Sequence, residues 1–228
     1  MATPYSVVRL GVTDSTQDDA RRHLIDEPVL VIADAQTAGR GRGGSTWKTA
    51  PRAVAMSLAL RPEWPVSSWP LLPLLAAVAA ARVVDCQLKW PNDLLVAGRK
   101  VGGILVEAGD GPVVIGLGLN LWWQDAPGGY GAVFADEPLD NQPDAMAGSW
   151  ADHLLGLVGA GPGVWPHDEY VSRCVTIGAD ITWDPAGEGH AVGIAPDGAL
   201  IVETPTGPKT IRSGEVRHLK TTATSYEP

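Results

Sequence analysis

The residues best suited to chemistry cluster in Gln36-Thr37-Ala38-Gly39-Arg40-Gly41-Arg42-Gly43-Gly44-Ser45-Thr46-Trp47. Four glycines within positions 39–44 permit sharp bends and let the backbone lie against a ligand with no Cβ in the way. Arg40 and Arg42 are permanent, forked cations suited to carboxylate or phosphate oxygens. The combination reads as a loop that wraps an anion. Gly39, Gly41 and Gly44 satisfy G-x-G-x-x-G, but the dinucleotide fingerprint needs a strand before and a helix after. The run 29–32 supplies the strand, whereas the run 53–60 is short, follows Pro51 and has no helical repeat. The outer spacing of a P-loop is also present, yet Ser45 stands where that motif requires lysine. An RGG-like nucleic-acid segment would be one short copy in an acidic chain, and a plain surface loop would not need the flanking Gln36 and Trp47.

The elements that must hold this loop follow from pattern. Residues 5–10 suggest a first strand, and Asp14-Ser15-Thr16-Gln17-Asp18 a helix start capped by Ser15, as a plain N-cap, which the spacing favours, or as a capping box in which Asp18 reaches back. That helix end, facing the loop, would be a second polar-ligand site. Strands at 29–34 and 53–61 bracket the loop, and a buried Ala-rich helix is expected between 67 and 84, starting near Pro70 to Pro73. A strand at 87–90 runs into the turn Pro91-Asn92-Asp93, and a hairpin over 94–107 turns at Ala97-Gly98-Arg99. Gly102 and Gly103 interrupt one strand and Gly116 and Gly118 the next, which marks close approach by a ligand or another backbone. Alternation puts Gly116 and Gly118 on one sheet face, read as the floor of a ligand slot. Trp122 and Trp123, in a loop, are candidates to close over a flat ligand. Helices are expected at 145–158 and 168–174. Beyond Gly178, short strands at 181–183, 191–194, 199–202 and 210–211, with turns at 185–189, 196–198 and 205–208, suggest a small barrel packed on the first unit. The expected domains are 1–176 and 177–228.

Length and composition fit this plan. The chain has 228 residues, 45% of them apolar, and a net charge of −9, which argues against a surface for duplex nucleic acid. No basic, apolar leader stands at the N-terminus, and the run 71–84, broken by Pro73 and Arg82, is too short for a bilayer. A cytoplasmic protein without a membrane partner is the expectation. Cys86 and Cys174 lack C-x-x-C spacing and read as reduced, buried thiols. The five histidines show no ligand spacing, so no metal site built from protein side chains is expected.

Taken in order, Gly39-Arg40-Gly41-Arg42-Gly43-Gly44 with Trp47, Lys89-Trp90-Pro91-Asn92-Asp93, Lys100-Val101-Gly102-Gly103-Ile104-Leu105-Val106-Glu107 and Gly116-Leu117-Gly118-Leu119-Asn120 resemble biotin protein ligase. The resemblance extends over nearly the whole chain. Ser15-Thr16 falls at the family's early ligand position, and the tail with Gly198 and Ser213-Gly214-Glu215-Val216 is similar to its SH3-like C-terminal barrel. It implies an α+β fold, a mixed β-sheet flanked by helices plus that barrel. It also implies a two-step reaction: biotin and ATP give biotinyl-5′-AMP, and a lysine of a biotin carboxyl carrier domain then takes the biotinyl group. Under the resemblance Lys100, Arg40, Arg42 and Asp93 are catalytic. Ser15, Thr16, Gln17, Gln36, Gly39, Arg40, Gly41, Arg42, Lys100, Gly103, Gly116 and Gly118 hold biotin. Arg40, Arg42, Trp47, Lys89, Asn92, Lys100 and Asn120 hold ATP or the adenylate, with Mg²⁺ bound mainly through phosphate oxygens. Gln17 replaces the family's usual asparagine, and Gly43 and Ser45 stand where the repressor-type ligase has arginines. A ligase without a DNA-binding arm, monomeric or homodimeric and with no nucleic-acid partner, is the implied form. A lipoate-type ligase or acyltransferase of the same fold and a non-catalytic biotin-binding module are the alternatives.

Overall fold

The computed structural model describes residues 4–109, 112–184 and 187–219. Among them the elements run β1 (Ser6–Thr13), α1 (Thr16–His23), β2 (Val29–Gln36), β3 (Arg52–Leu60), α2 (Leu72–Ala81), β4 (Gln87–Lys89), β5 (Asp93–Val96), β6 (Arg99–Ala108), β7 (Val113–Trp122), α3 (Gln142–Ala160), α4 (His167–Arg173), β8 (Asp180–Trp183), β9 (Gly187–Ile194), β10 (Leu200–Thr204), β11 (Gly207–Ile211) and β12 (Val216–His218).

The first seven strands form one mixed sheet in the order β1-β2-β3-β7-β6-β5-β4, with β1 and β2 parallel and the other pairs antiparallel. Helices flank it, as the expected α+β fold requires. Both faces of β2 are covered over its first five residues, which is why Val29-Leu30-Val31-Ile32-Ala33 is a continuous apolar run. Leu30, Ile32, Met56, Leu58, Leu117 and Leu119 join α2 and α3 in the main core. Helix α2 is apolar all round because the sheet and α3 enclose it, and Trp150 of α3 donates its Nε1–H to Ala76 O at 3.2 Å. Each such buried leucine contributes about 1.5–3 kcal/mol.

The opposite face has thinner cover. Ala20 of α1 and Leu24 at its C-cap pack there on Val29, Val31, Ala59 and Val114. With only eight residues, α1 ends before β3, β6 and β7 are covered. The uncovered part carries Ala55, Ser57, Gly103, Gly116 and Gly118, brought side by side by the pairings Ala55↔Gly118, Ser57↔Gly116 and Gly103↔Gly118. A shallow trough of small residues results, roofed by the segment between β2 and β3.

Local expectations fail at several points, each for a physical reason. Ser15 is the N-cap of α1 but its side chain makes no cap hydrogen bond, and Asp18 does not reach back because it is held in a charge-assisted pair with Arg40. Strand β7 runs through Trp122, and Trp123 packs 6.2 Å from the Tyr130 ring, so neither tryptophan roofs the trough. Gly207 and Pro208, expected in a turn, begin β11. This is an edge strand, where proline costs no ladder hydrogen bond. Gly187 and Gly189 likewise belong to β9, while 185 and 186 lie outside the described residues.

Strands β8 to β12 make an antiparallel sheet in the order β11-β10-β9-β8-β12. Its edge strands are not paired with each other among the described residues, so the expected small barrel is open. Three residues make up β12, enough to pair with β8 alone. Two tryptophans tie this module to the first: Trp90 donates Nε1–H to Gly198 O (3.0 Å) and Trp165 donates Nε1–H to Pro196 O (2.8 Å). Cys86 and Cys174 are buried free thiols, and burial pushes the Cys86 thiol up to about 11. Among the described residues no helix is long and apolar enough to cross a membrane.

Candidate functional site

The Gly-rich segment folds back on itself. Gly41 N donates to Ser45 O at 2.7 Å, Ser45 N to Arg42 O at 3.2 Å and Trp47 N to Gly39 O at 3.1 Å. Gly43 (φ 63°) and Gly44 (φ 76°) take the left-handed conformation that closes the turn, so Gly43 suits a position where an arginine would be strained. The fold-back sets Trp47 down on the trough. A Cβ added to Gly103 or Gly118 would come within 2.9 Å of its ring.

Beneath the indole lies a narrow slot lined by Ser15, Thr16, Gln17, Gln36, Arg40, Trp47, Ala55, Ser57, Gly103, Gly116 and Gly118, among others. Its inner end is polar. Gln36 Oε1 accepts from Thr16 N (2.9 Å) and from Thr16 Oγ1 (3.1 Å), Thr16 Oγ1 sits 2.8 Å from Ser57 Oγ, and Gln17 Nε2 donates to Leu105 O (2.9 Å). Ser15 Oγ and Gln17 Oε1 are buried there without a protein partner. Together they offer an O–H donor and an amide acceptor to a polar ligand head. With Trp47 in place the slot measures 30 Å³, room for a water or two.

The slot opens into a cavity of 510 Å³ that Arg40, Arg42, Trp47, Lys89, Asn92, Asp93, Lys100 and Gly103 help to line. Arg40, Trp47, Gly103 and Leu105 border both spaces. Lys100 lines the cavity next to one of these shared residues, its Nζ 3.6 Å from where a Cβ on Gly103 would lie. The register of β5 on β6 skips Val101 (Leu94↔Gly102, then Leu95↔Lys100), and this bulge turns Lys100 to the same face as Gly103. Its Nζ lies 2.5 Å from Asp93 Oδ1 and 5.8 Å from the Trp47 ring centre.

The two loop arginines differ sharply. Arg42 donates to Asn92 Oδ1 (3.1 Å) and to Gly214 O (3.3 Å), both neutral acceptors, and has no salt-bridge partner among the described residues. Burial holds its pKa below the usual arginine value, while Asp93 and Glu215 pull it back up. It stays a cation, so the site contains a half-buried positive charge without a paired anion. Arg40, expected to share that work, is committed instead to Asp18 and Glu107.

Most of the expected residues therefore converge. Ser15, Thr16, Gln17, Gln36, Gly103, Gly116 and Gly118 line the slot, and Gly41, Arg42, Lys89, Asn92, Asp93 and Lys100 the cavity. Gly39 borders neither space and forms the base of the loop under Trp47. Asn120 also lines neither. It is wholly buried, with Oδ1 accepting from Ala50 N at 3.0 Å and Nδ2 unpartnered. The fold-back that precedes β3 brings the Ala50 backbone over it and shields it from both spaces. Ser57, Asp18 and Glu107 belong to the site without belonging to an expected ligand set. Ser57 had a signal, being the lone hydroxyl in the apolar strand β3.

The sequence matches the biotin/lipoate A/B protein ligase family over residues 10–120 and the biotin protein ligase C-terminal domain over residues 184–219. It is 32% identical over 244 residues to the biotin–[acetyl-CoA-carboxylase] ligase of Paracoccus denitrificans, with 91% of this chain and 98% of that protein covered. The chain belongs to the biotin protein ligase family. It is also 40% identical over 124 residues to the bifunctional ligase/repressor BirA of Bacillus spizizenii, with 49% of this chain and 38% of that protein covered, so it spans well under half of that relative's length. Among solved structures, the biotin protein ligase of Aquifex aeolicus in complex with biotin and ATP has the same fold, with a TM-score of 0.76, 22% identity and coverage of 94% of this chain and 99% of that one. Family membership thus agrees with the motif resemblance and with the mixed sheet beneath the Gly-rich loop.

Proposed function

We propose that this chain is an ATP-dependent biotin–[biotin carboxyl carrier protein] ligase. A biotin carboxylate oxygen attacks the α-phosphorus of ATP, forming biotinyl-5′-AMP as the bond to pyrophosphate breaks. A carrier lysine nitrogen then attacks the acyl carbon, forming the amide as AMP leaves and a proton is lost. The observation that carries this reading is Lys100 Nζ in the larger cavity, 3.6 Å from where a Cβ on Gly103 would lie, Gly103 being a residue that borders both the cavity and the polar-ended slot. A ligand with its polar head at Ser15, Thr16 and Gln17 would deliver its acid group toward that lysine.

The first step brings two anions together and builds further negative charge, so fixed cations lower its barrier. Lys100, held by Asp93, and Arg42, held by Asn92 and Gly214, are such cations. Trp47 has to lift from Gly103 and Gly118 to admit the ligand, after which its indole offers a wall to the ligand body or the adenine. No group of three or more His, Cys, Asp or Glu side chains gathers among the described residues. Mg²⁺ would be held through phosphate oxygens and water, as a hard ion entering with ATP. In the second step a free lysine of pKa about 10.4 is neutral in roughly one molecule per 2,500 at pH 7. Asp93 is the carboxylate at hand to orient that amine and take its proton.

We assign this chemistry to residues 1–176 and to the C-terminal module, 177–228, the support of Arg42 through Gly214. A lipoate-type ligase is the nearest rival. The buried Ser15 hydroxyl and Gln17 amide oxygen favour a cyclic urea, which has N–H donors and a carbonyl acceptor, over an apolar dithiolane. The deciding measurement is exchange of labelled pyrophosphate into ATP: it should require biotin, and lipoate or octanoate should not replace it. Exchange that ignores biotin would remove the proposal.

A further inference from the structure

Arg40, expected as a ligand for an incoming anion, is already paired with two carboxylates. Its guanidinium has five N–H groups. Nε and Nη2 donate to the two oxygens of Glu107 (3.1 and 3.0 Å), while Nη1 and Nη2 donate to those of Asp18 (2.8 and 2.9 Å). Both two-nitrogen edges of the fork are taken, and one Nη1–H is left. Charge agrees with geometry, since Arg40 faces two carboxylates, with Arg21 a further 3.9 Å from Glu107. The cluster of two arginines and two acids is neutral. Arg40 also holds the Asp18 carboxyl below its ordinary value.

What the pairing does is mechanical. Asp18 follows the slot residue Gln17 on α1, and Glu107 lies two positions beyond the slot residue Leu105 on β6. Arg40 bridges these two walls and pairs with Thr46, the neighbour of Trp47, across the loop. We propose that Arg40 is a positioning residue, a strap that fastens the loop and its tryptophan across the mouth of the slot, with Asp18 and Glu107 as its anchors. Retention of biotin and its adenylate then depends on closure by this strap, and the anion charge falls to Lys100 and Arg42. This rests on the ligase reading above.

The test has opposite signs for the two roles. The full chain and its Asp18→Asn, Glu107→Gln and Arg40→Lys variants are compared for biotin dissociation by stopped flow and for KM and kcat of biotin in pyrophosphate exchange. If Arg40 is a strap, Asp18→Asn and Glu107→Gln each speed biotin release about three- to tenfold and raise the biotin KM more than they lower kcat. Added salt, which screens half-exposed pairs, speeds wild-type release and affects the variants less. Arg40→Lys, with charge but no fork, behaves like them. If Arg40 is a ligand for the carboxylate or phosphate, removing either acid frees its fork, and biotin is released more slowly. Slower release, or release unchanged in both acid variants, overturns the strap. Should one acid variant fail to fold by circular dichroism, the other carries the same sign test. A wild type whose exchange needs no biotin would defeat the ligase reading instead, a result visible before any variant is made.

Discussion

Lys100 Nζ sits 2.5 Å from Asp93 Oδ1, a contact that exists only because the bulge at Val101 turns Lys100 onto the slot side of β6. The lysine is thereby a fixed charge, further braced where its own backbone N–H meets Gly129 O at 2.9 Å. Preorganised donors of this kind are worth roughly 10²–10³ in rate when charge builds on the reacting oxygens. Lys100→Ala is therefore expected to lower biotin-dependent pyrophosphate exchange by about that factor. Asp93→Asn keeps the cation but loosens it, so its loss in exchange should be smaller than its loss in transfer to the carrier lysine. Equal exchange in wild type and Lys100→Ala would refute the assignment.

Adjacent glycines should respond in different ways. Gly102 faces the core, where a Cβ would meet Leu119 Cδ2 at 2.8 Å and Gly118 O at 3.0 Å. Gly102→Ala should cost about 1–3 kcal/mol of stability and lower the melting temperature accordingly. Gly118 faces the slot, and the three atoms nearest its Cβ would all belong to the Trp47 ring, the closest 2.9 Å away at the free end of a loop side chain. Gly118→Ala should leave the melting temperature nearly intact, shift the tryptophan fluorescence and raise the biotin KM about tenfold or more. The pair is informative because a uniform stability loss in both would deny that Gly118 lies on the ligand side.

The extent to which this was legible beforehand follows from what periodicity can carry. Gly116 and Gly118 share a face because side chains alternate along any strand, and that inference needs no partner strand. Which of Gly102 and Gly103 joins them depends on register against β7, and a one-residue slip exchanges their faces. The side of Lys100 was hidden further, by a bulge with no signature beyond the glycines after it. Arg40 could be seen as a cation, but its anchors stand 22 and 67 positions away, and nothing local distinguishes a strap from a ligand. Asp18 suggested a capping box because capping is local; the stronger long-range pair prevailed. The expected lids Trp122 and Trp123 do not cover the slot, and Trp47, expected beside the adenylate, does, an outcome set by the reversal at Gly43 and Gly44.

Asn120 separates a structural role from a ligand role. Its Oδ1 satisfies the buried Ala50 N–H, and its own Nδ2 has no partner. Asn120→Ala would orphan the Ala50 donor at a cost of about 1–3 kcal/mol, which for a chain of this size is a drop of a few degrees in melting temperature. The ATP KM, measured well below that temperature, should change by less than about threefold. A steep rise in the ATP KM with an unchanged melting temperature would instead make Asn120 a phosphate contact.

A pH dependence should arise at the joint between the two modules. His218 of β12 places Nε2 3.2 Å from Thr176 Oγ1, the same hydroxyl oxygen that accepts from Trp90 N at 2.9 Å. Burial, with a smaller contribution from Lys89, holds the imidazole pKa below its ordinary value. The folded state therefore favours the neutral ring, while the unfolded chain takes up a proton near pH 6.5. His218's contribution to stability is fully present above about pH 6.5 and is lost as pH falls through the depressed folded value. The melting temperature should hold steady from about pH 8 to 7 and decline between roughly 6.5 and 5. The depressed carboxyls of Glu169 and Glu215 titrate below that window and do not obscure it. His218→Gln, which keeps a polar group beside Thr176 but cannot titrate, should flatten the decline. Parallel curves for wild type and variant across that window would show that the joint does not sense protons through this ring.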